Sequence, residues 1–310
     1  MLYDLIIIGA GPAGLASAIY AKRALLKTLI FEKELAGGKL NKTADVENYP
    51  GFTKISGSGL AEEMTKHASL YNVDWKNEEV IQLNKNNQGL FEIKTKGETY
   101  SGKTVIISSG TIENKLKVPG EEEFTNFGVS YCAICDGFLF QNKVVAVVGG
   151  GYSACEAALY LSNIAKKVYL IHRGEKFRAE QEIEKQVRKN PRIELILNTV
   201  IDEIGGEIEK KKKVTHFTIK SLKESQRNKI EINALFPCIG LLPYTNFLHD
   251  LNICDEKGYI LVNEKGSTAI PGLFAAGDII HPERIRQIVT AVSDGAIAAQ
   301  SASEYLRRKI

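Results

Sequence analysis

The apolar positions of the chain fall into short continuous runs that alternate with stretches of helical periodicity. Leu2 to Gly9 is such a run, a pattern typical of a strand buried on both faces of a parallel sheet. Leu15 to Leu26 then predicts a helix, and Thr28 to Glu32 predicts a second strand. The same order returns in Lys143 to Gly149, Ser153 to Ile164 and Lys167 to His172. The sequence therefore predicts an α/β protein with a duplicated strand–helix–strand unit.

The remaining pattern predicts a mixture of elements around these two copies. Residues 57–72 are typical of a helix, and residues 89–108 and 192–236 alternate in the manner of strands and hairpins. Further predicted elements are a strand and turn from Ile260 to Pro271, a buried strand from Leu273 to Asp278 and a long helix from Gln287 to Leu306.

A glycine-rich loop follows the first strand. Gly9, Gly11 and Gly14 have the Gly-x-Gly-x-x-Gly spacing of dinucleotide-binding loops. The first glycine permits a tight turn, the second lets the backbone approach a pyrophosphate, and the third allows close packing of helix on strand. Phosphates then lie at the positive end of the helix. Glu32 closes the second strand and is placed to accept hydrogen bonds from ribose hydroxyls, so this loop predicts a dinucleotide without a 2′-phosphate.

The second copy differs from the first where its second strand ends. Gly149, Gly151 and Ala154 repeat the glycine-rich spacing. The residues that replace the acid are basic, namely His172, Arg173 and Arg178. Because a positive charge at this place suits a 2′-phosphate, the second copy is predicted to prefer NADP over NAD.

Cys132 and Cys135 form a Cys-x-x-Cys pair just ahead of the second copy. Half of a zinc site is one alternative, but Cys155, Cys238 and Cys254 are isolated and have no histidine at metal-ligand spacing. Two thiols without a function are the other alternative, and the adjoining nucleotide motifs argue against it. We therefore predict a redox-active disulfide and no metal, and we expect the other three cysteines to be small buried apolar residues.

Composition narrows the class of protein. The chain has 310 residues, which is enough for two ordinary domains, and 44% of them are hydrophobic while 25% are charged. A formal net charge of +3 is too small to predict nucleic acid or an anionic membrane as a partner. The N-terminal apolar run has no basic leader and is soon broken by glycines and Pro12. We expect a soluble, cytoplasmic protein.

Together these motifs resemble the small bacterial type of thioredoxin reductase, an FAD flavoprotein driven by NADPH. The matching segments, in the family's order, are Gly9–Gly14, Gly37–Gly38, Glu47–Gly51, Cys132–Asp136, Gly149–Gly151, His172–Arg173, Phe177–Ala179, Ala276–Asp278 and Arg286–Gln287. The resemblance implies two Rossmann-like dinucleotide-binding domains. Residues 1–114 and 245–310 would form a discontinuous FAD domain, and residues 115–244 an inserted NADPH domain that carries the cysteines. It also implies a homodimer.

The resemblance assigns the candidate binding residues. Those implied for FAD are Gly9, Gly11, Pro12, Ala13, Gly14, Glu32, Gly37, Gly38, Lys39, Leu40, Thr43, Asn48, Gly110, Asp278, Arg286, Gln287 and Ile288. Those implied for NADPH are Gly149, Gly151, Tyr152, Ser153, Ala154, Glu156, His172, Arg173, Arg178, Ile239 and Gly240.

It also implies a route for electrons, from NADPH through FAD to the Cys132–Cys135 disulfide and on to thioredoxin. Cys135 would face the flavin, and Cys132 would attack the disulfide of thioredoxin. Asp136 is placed to move the thiol proton as a general acid or base.

The chain departs from the family's pattern in the NADPH half. Gly174 stands where a second arginine is usual, and Tyr152 where a small polar residue is usual. Leu241 and Tyr244 stand where histidine and asparagine are typical. Loss of one arginine predicts weaker binding of NADPH and poorer discrimination against NADH.

Two other functions stay open. If the tyrosines obstruct the nicotinamide route, the flavin would be reduced by another donor such as ferredoxin. Alternatively, the chain would be a flavin-holding redox sensor without turnover, against which the complete set of Cys132, Cys135 and Asp136 argues.

Overall fold

The structure is a computed structural model that describes residues 1–43, 45–209, 212–224, 227–248, 250–280 and 286–308. Its α-helices are α1 (Pro12–Arg23), α2 (Gly57–Ser69), α3 (Ala133–Asp136), α4 (Tyr152–Ser162), α5 (Gln181–Lys189) and α6 (Ile288–Arg307), with 3₁₀ turns at Gly38–Lys42 and Gly137–Phe140. Within the described residues, no helix combines the length and the apolar character needed to cross a bilayer.

The strands are short and numerous. In chain order they are β1 (Leu2–Ile8), β2 (Thr28–Phe31), β3 (Asp45–Val46), β4 (Ile55–Ser56), β5 (Asp74–Lys76), β6 (Gln82–Lys85), β7 (Phe91–Lys94), β8 (Thr99–Ile107), β9 (Thr111–Glu113), β10 (Val144–Val148), β11 (Lys167–Ile171), β12 (Ile193–Ile196), β13 (Thr199–Glu207), β14 (Lys213–Ser221), β15 (Arg227–Glu231), β16 (Ala234–Pro237), β17 (Leu241–Pro243) and β18 (Leu273–Ala275).

The chain divides into two compact units. Unit 1 comprises Met1–Ile112 and Leu242–Ile310, and unit 2 comprises Glu113–Leu241. The sequence places these boundaries at 114/115 and 244/245. The two crossings between the units fall in β9 and β17, which pair with each other as a two-stranded sheet.

Unit 1 is built on a seven-stranded sheet with the order β5-β2-β1-β8-β7-β6, and β18 also pairs with β8. The pairs of β1 with β2 and β8, of β2 with β5 and of β18 with β8 are parallel, while β6 and β7 are antiparallel. Because both faces of the parallel strands are covered, Leu5 to Ile7 in β1 are fully buried. Helices α1 and α6 pack together so closely that Ser17 Oγ donates to the carbonyl of Gly295 at 3.0 Å.

Unit 2 repeats the parallel arrangement in a four-stranded sheet with the order β12-β11-β10-β16. All its pairs are parallel. The alternation predicted for residues 192–236 forms β12 and β16 of this sheet and the antiparallel sheet β13-β14-β15. A sheet with parallel nucleotide-type strands in each unit, together with the family match, confirms the predicted fold class.

One predicted strand is wrong. Ile260 to Pro271 makes only isolated bridges, such as Ile260 with Ile280 and Ser267 with Phe274. The reason is a local turn, since Asn263 Oδ1 accepts the backbone N–H groups of Lys265 and Ser267 at 2.9 and 3.1 Å. This side chain competes with a strand ladder for the backbone donors.

Candidate active site and nucleotide-binding loops

The first glycine-rich loop has the geometry that its spacing predicts. Gly9 has φ +103°, and a Cβ at Gly14 would lie 1.8 Å from the carbonyl oxygen of Gly9, so only glycine fits. A Cβ at Gly11 would meet nothing within 4 Å. Pro12 opens α1, and Ala13 packs in the core behind it. The loop is therefore closed towards the sheet and open at Gly11, where a phosphate would approach the free N–H groups of the helix.

Glu32 lies beside this loop, at the end of β2. Its Oε2 accepts the backbone N–H of Ala10 at 2.8 Å, and its Oε1 accepts that of Glu34 at 3.0 Å. Each carboxylate oxygen can accept a second hydrogen bond, so Glu32 can bind ribose hydroxyls while it holds the loop. Gly37 joins the same site, because its N–H donates to the carbonyl of Ala10 at 2.8 Å.

Lys39 connects the loop after Gly37 to the end of β18. Its ammonium donates to Asp278 Oδ2 at 2.8 Å and also to Thr111 Oγ1. Thr43 Oγ1 donates to the carbonyl of Lys39 at 3.1 Å. A Cβ at Gly38 would lie 3.4 Å from Cα of Gly11, so this segment passes directly over the phosphate loop. These contacts bring together residues that lie far apart in the sequence.

A second group of contacts lies at the start of α6. Asn48 Nδ2 donates to Gln287 Oε1 at 3.0 Å, and Gln287 is the N-cap of the helix. Ile288 packs with Leu40 in a small apolar cluster. Arg286 donates to Tyr259 Oη at 2.6 Å, yet its Nε is buried with no partner. An unpaired buried donor indicates a missing acceptor, because such groups are normally satisfied. Gly110, with φ +65°, has open space around it.

The second glycine-rich loop repeats the first. Gly149 has φ +152°, and a Cβ there would lie 2.2 Å from the carbonyl oxygen of Cys238 and 2.8 Å from Cβ of Ala154. Gly151 is again open and is the N-cap of α4. Ser153 is exposed in the first turn of the helix. Gly240, with φ +111°, follows Ile239 and accepts the N–H of Asn114 at 3.0 Å through its carbonyl.

Arg178 is attached to this loop by its backbone. Its N–H donates to the carbonyl of Gly150 at 2.6 Å, while its side chain is exposed. The side chain of Arg173 is exposed as well. In the part of the chain that the structure describes, neither guanidinium makes an ion pair, so both are available to an anion.

His172 lies in a different environment from the two arginines. His172 is 8% exposed. Its ring stacks on Phe177 with centroids 5.5 Å apart, and a Cβ on Gly150 would lie 2.2 Å from the ring. Burial lowers the pKa of His172, and the positive charges of Arg178 and Arg173 lower it further. Burial thus favours the neutral form of His172, and the arginines remain the predicted cations for a 2′-phosphate.

Tyr152 and Glu156 form a pair on the first turns of α4. The hydroxyl of Tyr152 donates to Glu156 Oε1 at 2.8 Å, and both side chains are exposed. This hydrogen bond, more than burial, raises the pKa of Tyr152. Tyr244, the other unusual tyrosine, lies in unit 1, where its hydroxyl donates to Glu79 Oε1 at 2.5 Å.

The Cys-x-x-Cys segment forms the short helix α3 in unit 2. Cys132 is disulfide-bonded, and its carbonyl accepts the N–H of Asp136 at 3.2 Å. The side chain of Cys135 lies outside the described residues. Cys155, Cys238 and Cys254 are free thiols, and burial raises the pKa of Cys155 to about 11 and that of Cys238 to about 12.

Comparison with known proteins decides the family. Residues 3–295 match the model of the pyridine nucleotide-disulphide oxidoreductases. The chain belongs to this family. Thioredoxin reductase from Listeria innocua is 40% identical over 306 residues, which cover 98% of the chain and 94% of the relative. The predicted resemblance is confirmed.

Solved structures of the family agree with this assignment. Lactococcus lactis thioredoxin reductase has a TM-score of 0.90 at 38% identity and covers 99% of both chains. A ferredoxin-flavin thioredoxin reductase from Clostridium acetobutylicum has a TM-score of 0.54 at 32% identity and covers 99% of both chains. The name of the second structure includes ferredoxin, whereas that of the first does not name an electron donor.

The residues present fit the cofactors of this family. In unit 1, the open Gly11 of the first loop and the orphaned Nε of Arg286 suit a bound dinucleotide. Thr111 and Tyr259 contact the predicted site residues Lys39 and Arg286, but the sequence did not predict them. A polar residue directly after Gly110 was the available signal for Thr111, whereas nothing in the local sequence marks Tyr259, whose hydroxyl accepts a hydrogen bond from Arg286.

Proposed function

We propose that this protein is an NADPH-dependent thioredoxin reductase with bound FAD and a redox-active Cys132–Cys135 disulfide. The observation that supports this most directly is a disulfide-bonded Cys132 within the same unit as the second nucleotide loop. A second support is the near full-length similarity to thioredoxin reductases.

In this proposal, unit 1 holds FAD. Gly9, Gly11 and Gly14 bring backbone N–H groups to the pyrophosphate, and Glu32 binds the adenosine ribose. Lys39, Asp278 and the groups near Asn48 and Arg286 supply the remaining polar contacts. When bound, the flavin and the nicotinamide supply the electron-transfer chemistry.

Unit 2 binds NADPH through Gly149, Gly151 and the first turn of α4. The exposed Arg173 and Arg178 bind the 2′-phosphate. Since Gly174 offers no third cation, we expect discrimination against NADH to be modest. The Tyr152–Glu156 pair at the start of α4 is placed to influence how the nucleotide enters.

The cysteines transfer electrons to the protein substrate. The Cys132 thiolate attacks the disulfide of thioredoxin to give a mixed disulfide, and Cys135 then resolves it, which releases dithiol thioredoxin. Two electrons leave the pair and the S–S bond between Cys132 and Cys135 forms again. Asp136, whose backbone is bonded to Cys132, holds or moves the proton of the thiol.

The experiment that tests this function is anaerobic absorbance spectroscopy of the purified yellow protein. Addition of NADPH should bleach the flavin band, and addition of oxidised thioredoxin should restore it. The variant Cys135→Ser should keep its flavin and its bleaching by NADPH but lose the reduction of thioredoxin, whereas an unaffected readout would support the sensor function.

A non-nicotinamide donor is the second candidate, favoured by the Clostridium relative and by Tyr152 at the nucleotide loop. If neither NADPH nor NADH bleaches the flavin while dithionite does, the NADPH proposal fails. Reduced ferredoxin is then the donor to test.

We also propose that the protein is a cytoplasmic homodimer, as its resemblance to the family implies. Light scattering coupled to gel filtration measures the mass of the assembly, and a mass of one chain would contradict the dimer.

A further inference from the structure

Glu121 is the most deeply buried carboxylate among the residues that the structure describes, with 1% of its surface exposed. Three hydrogen-bond donors reach it. The N–H of Leu116 and the hydroxyl of Tyr131 donate to Oε1, both at 2.8 Å, and the N–H of Lys117 donates to Oε2 at 2.6 Å. Burial of a carboxylate is costly unless such donors satisfy it, so a buried carboxylate with three well-formed bonds fixes its neighbours firmly.

One side of this arrangement is a backbone turn close to the first crossing between the units. Lys117 has φ +60°, in the left-handed region that residues other than glycine rarely adopt. Its N–H and that of Leu116 both point at the carboxylate. Glu121 therefore holds a turn that would otherwise relax.

The other side is the redox segment. Tyr131 directly precedes Cys132, and the preceding Ser130 donates its N–H to Leu235 in β16 at 3.0 Å. Ser130 Oγ also accepts the N–H of Cys132 at 3.1 Å. Burial, and then the bond to Glu121, raise the pKa of Tyr131, so its hydroxyl remains a donor at neutral and mildly alkaline pH.

We propose that Glu121 is a positioning residue for the redox-active disulfide, acting through the hydroxyl of Tyr131. One carboxylate thus fixes both the turn at Leu116–Lys117 and the residue next to Cys132. This inference rests on the proposed function only in taking Cys132 as the redox centre.

The contacts are present while Cys132 is disulfide-bonded. The proposal requires that these contacts stabilise the oxidised segment more than the dithiol, so that their loss shifts the equilibrium towards the dithiol. Reduction adds two electrons and two protons to the S–S bond, and glutathione can supply both, with glutathione disulfide as the product.

The test compares Tyr131→Phe, Glu121→Gln and the double variant with the wild-type holoenzyme. Each protein is equilibrated in glutathione buffers, its thiols are trapped by alkylation, and the oxidised fraction of Cys132 is measured by mass spectrometry. Loss of one hydrogen bond to a carboxylate should shift the equilibrium by about tenfold, which for a two-electron couple is about 30 mV. If Glu121 acts through the Tyr131 hydroxyl, Glu121→Gln should add no shift once that hydroxyl is gone, so the double variant should match Tyr131→Phe.

Tyr100→Phe is the matched control. Tyr100 is a buried phenol that donates to Glu78 Oε1 at 3.2 Å in unit 1. Loss of this hydroxyl should leave the thiol equilibrium unchanged. Melting temperatures of all variants are recorded, so that general destabilisation is detected.

An unchanged equilibrium in Tyr131→Phe overturns the proposal, even if Glu121→Gln fails to fold. A shift that Tyr100→Phe reproduces also overturns it, because the effect would then reflect general destabilisation. The measurement uses neither NADPH nor thioredoxin. A failure of the proposed function would instead appear as a wild-type protein that does not reduce thioredoxin.

Discussion

At the scale of single residues, Arg178 combines a fixed backbone with a free side chain. Its N–H is bonded to Gly150 in the second loop, and its guanidinium is exposed. Removal of a charge-assisted contact to a phosphate costs about 1.5–3 kcal/mol. We therefore expect Arg178→Ala to raise KM for NADPH by about 10- to 100-fold and to leave KM for NADH nearly unchanged, as steady-state kinetics with both nucleotides will show.

Arg227→Ala is a suitable control for this prediction. Arg227 is exposed in β15 of the same unit and pairs with Asp202 at 3.1 Å, away from the glycine-rich loop. Equal effects of Arg178→Ala on NADPH and NADH would contradict a role at the 2′-phosphate. For the wild type, a preference for NADPH above about a thousandfold would contradict the modest discrimination attributed to Gly174.

His172 links the second unit's stability to pH. Its pKa is lowered in the folded protein by burial and then by neighbouring arginines, so below its ordinary pKa the unfolded chain binds more protons. The stability that depends on the neutral ring is complete above about pH 6.5 and is lost as the pH falls from there towards the folded pKa. His172→Gln should therefore reduce the loss of stability between neutral pH and about pH 5.5, measured as the pH dependence of the melting temperature.

His67→Gln is the control for the pH prediction, because His67 is exposed on α2. If His67→Gln and His172→Gln show the same pH dependence of the melting temperature, the role of His172 is refuted.

The residues of the site differ in how far the sequence predicts them. Gly9, Gly14 and Gly149 are predicted by their spacing. The positive φ angles of Gly9 and Gly149, and the close backbone contact at Gly14, require glycine at these positions. The lowered pKa of His172 is not predicted by spacing. It results from burial of the ring against Gly150 and Phe177, which come together only after folding. Glu121 and Tyr131 lie ten positions apart in no known motif, so only the folded chain shows their contact.

At the scale of elements, the contact between α1 and α6 depends on Gly295. A Cβ at this position would lie 2.1 Å from the carbonyl oxygen of Ala13, which is backbone and cannot move aside. We expect Gly295→Ala to destabilise the protein by about 1–3 kcal/mol, with release of flavin, as measured by thermal unfolding and absorbance.

Variants of two other glycines distinguish an effect on stability from an effect on cofactor binding. Gly97→Ala should leave both the melting temperature and the bound FAD unchanged, since its Cβ would meet nothing within 4 Å in an exposed turn. Gly11→Ala has the same open space within the fold, so it should keep the melting temperature of the apoprotein while it weakens retention of FAD. A loss of apoprotein stability in Gly11→Ala would contradict the assignment of this space to the cofactor.

Long elements were predicted better than short ones. Helix α6 runs from Ile288 to Arg307, one residue from the predicted ends. The pairing of β9 with β17 was missed, because three-residue strands carry no periodicity and their partner lies more than a hundred residues away.

At the scale of the whole molecule, the pairing of β9 with β17 places the two crossings side by side. Neighbouring strands are about 4.8 Å apart, so a short Gly-Ser linker can join Ile112 to Leu242. We expect this deletion protein to fold and bind FAD, as judged by flavin absorbance, because unit 1 keeps its whole sheet and α6.

Residues 1–112 alone provide the control. They lack β18 and α6, which cover part of the unit 1 core, and should not retain flavin. Flavin retained by this fragment, or lost from the linked protein, would show that the division into units does not describe independent folding.

The division of unit 1 also sets an order of events during synthesis. Helix α1 leaves the ribosome early, but α6, which packs against it, follows only after all of unit 2. At typical rates of translation the delay is roughly 10 to 50 s. Unit 2 is continuous in sequence and can complete its core in that interval, whereas the nascent first segment must keep an apolar helix face uncovered until the C-terminus emerges.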